Sequence, residues 1–139
     1  MQVRCHEGVG PICFGMSPDD LRAVLGAEFT SFKRGPDSVH PCDHFGELEC
    51  FVYYDDANCL VEAIEFAAPA APKLDGLDLL GLGFADLIEI IRQTDPNVSV
   101  ESDGFISLRL GIGGWAPSAQ EQPDDPAESI IVFAPGYYD

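Results

Sequence analysis

Two stretches of the chain repeat apolar residues at helical spacing. In residues 16–26, Leu21, Val24 and Leu25 fall at i, i+3 and i+4 and predict one apolar face of a short helix. Ser17 supplies an N-cap, Pro18 suits the first helical position, and Asp19 and Asp20 complement the positive end of the helix dipole. Gly26 supplies the stop. A helix this short must be held by packing. Residues 83–93 repeat the spacing with Leu87, Ile90 and Ile91, and Asp95-Pro96-Asn97 ends the run. The remaining apolar segments read as strands. Residues 47–54 lead into a turn at Asp55-Asp56-Ala57-Asn58. Residues 59–67 return as a hairpin partner, with Leu60, Ala63 or Ile64, and Phe66 as core contributors. Residues 105–112 alternate, and 129–134 form a compact apolar strand. Between them, 113–128 is rich in Pro, Gly, Asp and Gln and reads as a surface loop.

The two halves resemble each other. Phe14-Gly15 with Asp20-Leu21 matches Leu80-Gly81 with Asp86-Leu87, and Asp43-His44-Phe45 matches Asp103-Gly104-Phe105. Ile64-Glu65-Phe66-Ala67 matches Ile131-Val132-Phe133-Ala134. The pattern predicts an α+β fold of one domain over residues 1–139, with internal repeats at about 8–68 and 74–135. Each repeat is expected to run strand-helix-strand-strand-strand, an antiparallel sheet with one short helix packed on it. Ala68-Pro69-Ala70-Ala71-Pro72-Lys73 would be an extended, semi-rigid linker.

Charge narrows the functional classes. Twenty-four Asp and Glu against seven Lys and Arg give a formal net charge of −17. So few cations cannot neutralise phosphates, so neither a nucleic-acid backbone nor an anionic membrane surface is an expected partner. A basic protein would be steered in quickly. The simpler reading of the same charge is solubility alone. No apolar stretch approaches the roughly 20 residues that span a bilayer, and the polar start Met1-Gln2-Val3-Arg4 shows no secretory signal. The cysteines, at 5, 13, 42, 50 and 59, are odd in number and lack a CxxC. Reduced thiols and a cytoplasmic location fit that count better than a disulfide framework, with Cys13, Cys50 and Cys59 as small buried hydrophobes.

The run Ile12-Cys13-Phe14-Gly15-Met16-Ser17-Pro18-Asp19-Asp20-Leu21-Arg22-Ala23-Val24-Leu25-Gly26 resembles the opening of small bacterial helix-then-sheet modules. These include the BamE-like modules of outer-membrane assembly lipoproteins and the tandem units of β-lactamase inhibitor proteins. Asp43-x-Phe45 and Val61-Glu62-Ala63-Ile64-Glu65-Phe66 are also similar to standalone proteins of this type, some thought to be immunity proteins. The matching residues are capping and packing residues, so the resemblance implies a fold and no active site. It also implies that a sheet face and loops bind other proteins. The chain departs from those relatives in having no lipobox and no paired cysteines.

Two sets of residues could carry function. His40, Cys42 and His44 lie at i, i+2 and i+4, on one side of an extended segment. With Cys5 and His6, or with Cys50, they could complete a tetrahedral metal site, or pair as thiol and base in an enzyme. The simpler reading is a polar loop that holds two of the three histidines. The second set combines rings and acids: Tyr53, Tyr54, Asp55 and Asp56, then Trp115, Asp124 and Asp125, then Tyr137 and Tyr138. Tyr and Trp anchor protein interfaces, and acidic rims suit a basic target. The expectation is therefore a non-enzymatic, immunity- or inhibitor-like protein that binds a basic partner and needs no cofactor. The alternative is a metal-binding or thiol-dependent enzyme centred on His40, Cys42 and His44. An edge strand in each half could also pair two copies into a homodimer.

Overall fold

A computed structural model describes residues 1–138. The chain opens with three two-residue strands, β1 (Val3–Arg4), β2 (Gly8–Val9) and β3 (Ile12–Cys13), paired in an antiparallel sheet of their own. Helix α1 (Pro18–Leu25) starts where the capping residues place it: Ser17 Oγ accepts from Asp20 N at 3.2 Å, and Gly26 closes the helix at φ 58°. That left-handed backbone costs glycine nothing. Four strands follow: β4 (Thr30–Phe32), β5 (Cys42–Phe45), β6 (Cys50–Tyr54) and β7 (Val61–Ala67). A small hairpin, β8 (Lys73–Leu74) with β9 (Leu77–Asp78), precedes α2 (Phe84–Thr94). The last strands are β10 (Ser99–Glu101), β11 (Gly104–Ser107), β12 (Ile112–Trp115) and β13 (Ser129–Phe133).

This architecture overturns the expected pair of strand-helix-strand-strand-strand repeats, each a helix on its own sheet. The chain is α+β but mostly sheet, 35% strand against 16% helix. Its main feature is one antiparallel sheet of eight strands in the order β10-β11-β12-β13-β7-β6-β5-β4. Strands β7 and β13 pair from Ala63–Phe133 to Ala67–Ser129, which fuses the halves through the middle of the sheet. The sequence pattern missed strands because the edge strands carry no alternation that separates core from solvent: all three residues of β4 and of β10 are exposed. Residues 105–112 are also not one strand. The chain turns after Ser107, whose carbonyl accepts from Gly111 N at 2.9 Å and whose hydroxyl accepts from Leu110 N at 3.2 Å. It then returns as β12, so Trp115 belongs to a strand and not to the loop.

Alternation sorts the sheet into two faces. Phe45, Val52, Ile64, Phe66, Phe105, Ile112, Ile130 and Val132 point to one side and meet the helices in the main core. Leu21 of α1 and Leu87, Ile88 and Ile91 of α2 are buried there, and each such side chain contributes about 1.5–3 kcal/mol of transfer free energy. Val24, expected on the apolar face of α1, is instead 43% exposed. Helix α2 has no side-chain cap; its first amides are taken by the 117–128 loop, with Phe84 N donating to Asp125 O at 2.8 Å and Ala85 N to Pro123 O at 2.9 Å.

One buried charge ties this side together. Asp43 on β5 is fully buried and accepts from Arg22 Nε at 2.9 Å, Arg22 Nη2 at 3.0 Å, Ser31 Oγ at 2.6 Å and Tyr54 Oη at 2.7 Å. Burial alone would raise its pKa, but the donors from Arg22, Ser31 and Tyr54 outweigh burial and hold the carboxyl below its ordinary value. The network fastens α1 and the edge strand β4 to the sheet.

Candidate functional site: the open face of the sheet

Among the described residues, no helix packs on the other face of the sheet. An unbroken cross-strand row runs there from Ser99 at one edge through Ile106, Gly113, Ile131, Glu65, Phe51 and His44 to Thr30 at the other. Beside it, Cys42, Tyr53, Ala63 and Phe133 form a second, smaller buried cluster. Two short segments cover that cluster. The chain after β13 folds back so that Tyr137 stacks on Phe133 at 5.9 Å and Tyr138 meets Phe133 edge-on at 4.8 Å. From the loop after β4, the Arg34 guanidinium lies 3.7 Å from the Tyr53 ring centroid and donates to Tyr137 Oη at 3.2 Å.

A carboxylate stands in the middle of this face. Glu65 Oε1 accepts from Tyr53 Oη at 2.6 Å, and Oε2 accepts from Ser129 Oγ at 2.9 Å. Burial, reinforced by the bond to Glu65, pushes the Tyr53 phenol up, so it stays a neutral donor. From Glu65 an open trough of about 320 Å³ crosses to β10, between Arg34 and Tyr138 at one end and Trp115, Glu101 and Asp103 at the other. A second hollow of about 310 Å³ lies beyond Arg34, against Tyr53, His40, Asp56 and Glu62. Burial and then the nearby Asp55 and Asp56 raise the Glu62 carboxyl above its ordinary value. Half-exposed rings border the face: Trp115 at 50%, Tyr138 at 46% and Phe32 at 43%.

The structure disperses part of the sequence-predicted set. Trp115, Tyr138 and Tyr137 lie on or over the open face. Tyr53 is its buried floor, and Asp56 lines the second hollow. Tyr54 points the other way, into the Asp43 network. Asp55 serves the β6–β7 turn, where its Oδ1 accepts from Asn58 N at 2.6 Å. Asp124 and Asp125 sit in the loop at the start of α2, on the helix side. Sequence reasoning missed Arg34, Glu65, Glu101 and Asp103 as members of this face. Glu65 could have been found: it alternates with Ile64 and Phe66, which face the core, and a charge between them marks a wet face. Arg34 had no local signal, because the loop that carries it reaches the face only in the folded chain.

His40, Cys42 and His44 do not converge on a metal or a nucleophile. Cys42 is buried, with its thiol donating to Phe32 O at 3.3 Å and raised above its ordinary pKa by burial. His44 stacks on Phe51 at 4.3 Å, and His40 lies in the loop. Among the described residues, no group of three or more His, Cys, Asp and Glu is placed to hold a metal ion. All five cysteines are free; Cys50 and Cys42 are buried, whereas Cys13 and Cys59, expected to be buried, are partly exposed. No helix among the described residues is long and apolar enough to cross a membrane. Compared with models of protein families, with curated proteins and with solved structures, the chain matches none.

Proposed function

We propose that the chain is a non-enzymatic protein-binding module, of an immunity or inhibitor type, and that its open sheet face takes a basic partner protein. The observation that carries this reading is the uncovered face itself. A sheet normally buries the side that carries its rings and aliphatic side chains. The helix side of this sheet is buried in that way, whereas the open side leaves Trp115, Tyr138 and Phe32 half exposed around Glu65, Glu62 and Glu101. Aromatic anchors set among carboxylates match the chemistry of a surface that meets a cationic protein. The net charge of −17 adds long-range attraction and makes the encounter salt-dependent.

The test is affinity capture from a lysate of the native host at low and moderate salt, with the parent chain and a Trp115→Ala/Tyr138→Ala variant side by side. The reading predicts that the parent retains one basic protein and that the variant loses it. Recovery of no specific protein, or equal retention by the variant, counts against it.

A further inference from the structure

The far end of the trough has the shape and chemistry of a slot for one planar cation. Register places Glu101, Gly104, Trp115 and Ser129 in one row across β10, β11, β12 and β13. Strands are spaced about 4.8 Å apart, so Trp115 and Glu101 stand roughly 10 Å apart with a single residue between them. That residue is Gly104, and nothing larger fits, because a β-carbon there would run into the Gly114 carbonyl. In the neighbouring row the same strand, β12, presents another bare position, Gly113, beside Ile106 and Ile131. The floor at Gly104 is therefore backbone, bordered by the Ile106 and Ile131 side chains beside Gly113, and the walls are an indole on one side and the Glu101–Gly104 turn, with Asp103, on the other. Both oxygens of Glu65 already accept hydrogen bonds from within the chain. The exposed carboxylates of Glu101 and Asp103 accept none of the side-chain hydrogen bonds or ion pairs found among the described residues.

We propose that this slot binds an arginine side chain of the partner, with the guanidinium stacked on Trp115 and its edge turned to Glu101 and Asp103. The proposal rests on the reading of the open face as a protein-binding surface, and names the residue type it recognises. Arginine is chosen over lysine because a guanidinium is flat. It can stack on an indole while its N–H edge meets a carboxylate, whereas an ammonium is a strongly hydrated point charge. The chain supplies its own precedent on the same face: the Arg34 guanidinium lies over the Tyr53 ring and donates to Tyr137. Arg34 is thereby held at the near end of the trough, leaving the far end open.

Trp115 is the one tryptophan in the sequence, so its fluorescence reports the slot directly. The probes are blocked tetra-arginine and tetra-lysine peptides, titrated into the full chain at moderate salt, with affinities of the variants confirmed by calorimetry. Two variants each remove two carboxylates: Glu101→Gln/Asp103→Asn at the slot, and Asp20→Asn/Asp86→Asn at the helix starts on the opposite side. The expected result is a saturable change in Trp115 emission with tetra-arginine, and binding at least about fivefold weaker for tetra-lysine. The slot variant should bind tetra-arginine about tenfold more weakly, through two lost charge contacts, and the distal variant should stay within about twofold of the parent. Equal weakening by the two variants would assign the binding to net charge and overturn the slot. Equal response to the two peptides, or no saturable change in emission, would overturn it as well. Capture of a partner that depends on Trp115 but is indifferent to Glu101→Gln/Asp103→Asn would refute the slot while leaving the protein-binding reading standing. Capture of no partner, with tetra-arginine binding as described, would refute that reading alone.

Discussion

Replacing Asp43 by Asn keeps the shape of the side chain and removes its charge, at a place where four donors converge. Asp43 is wholly buried, whereas the Arg22 side chain keeps 30% of its exposure. Breaking a buried ion pair by removing one partner costs about 3–5 kcal/mol, because the remaining charge is left buried. Arg22 can recover some water, which places Asp43→Asn near the lower end, at about 3 kcal/mol. Tyr54→Phe removes one hydrogen bond to the same carboxylate and should cost about 1.5 kcal/mol. Both are read by urea unfolding at neutral pH. The sign of the pH dependence follows from the depressed pKa. A carboxyl held below its ordinary value contributes stability that is complete above the unfolded pKa, about 3.9. That contribution is lost as pH falls through the lower, folded value. The parent should therefore lose stability steeply on the acid side of about pH 4, and Asp43→Asn should lose less over the same interval. A loss below about 1 kcal/mol for Asp43→Asn, or an unchanged acid limb, would refute the claim that this network holds α1 and β4 to the sheet.

Further outcomes follow from other parts of the structure. Gly104→Ala should lower stability by about 1–3 kcal/mol through the collision with the Gly114 carbonyl, measured by thermal melting. On α1, Leu21→Ala should cost about 2–5 kcal/mol while Val24→Ser stays within about 0.5 kcal/mol, since Leu21 is fully buried and Val24 is not. Burial pushes the Cys50 thiol up to about 12, so it should resist a thiol reagent at pH 8 until the chain is unfolded in urea. Zinc at a few equivalents should leave the melting temperature unchanged, because His40, Cys42 and His44 do not face a common point; a stabilisation abolished by His44→Ala would contradict this.

The helices were legible because their signals are local. Ser17, Pro18 and Gly26 act within one turn of their own positions, and α1 begins and ends on them. Strand β13 was legible because its five residues include buried apolar ones in sequence. The sheet was not, for reasons that lie in partners rather than in strings of residues. Edge strands β4 and β10 owe their form to hydrogen bonds from one neighbour only, and nothing in Thr30-Ser31-Phe32 or Ser99-Val100-Glu101 demands burial. The turn after Ser107 hides inside a run that alternates without interruption. The candidate site followed the same division. Trp115 and Tyr138 stood out as unusual residues, and they do face the trough. Tyr54 and the pair Asp124-Asp125 looked equivalent by type, yet pairing register and the capping of α2 send them to the other side. In sequence, Asp43 stands out only in a repeated motif and in the resemblance, and its burial is not legible, since the four donors that converge on it come from three other elements.

The account stands on the open face being the surface that meets another protein. Hydroxyl-radical footprinting of the chain, free and bound to the basic protein it captures, reads each aromatic residue separately. Protection of Trp115, Tyr138 and Phe32, with unchanged reactivity at exposed Val24 on α1, is the predicted pattern. Protection centred on the helices, with Trp115 and Tyr138 as reactive in the complex as in the free chain, would contradict it.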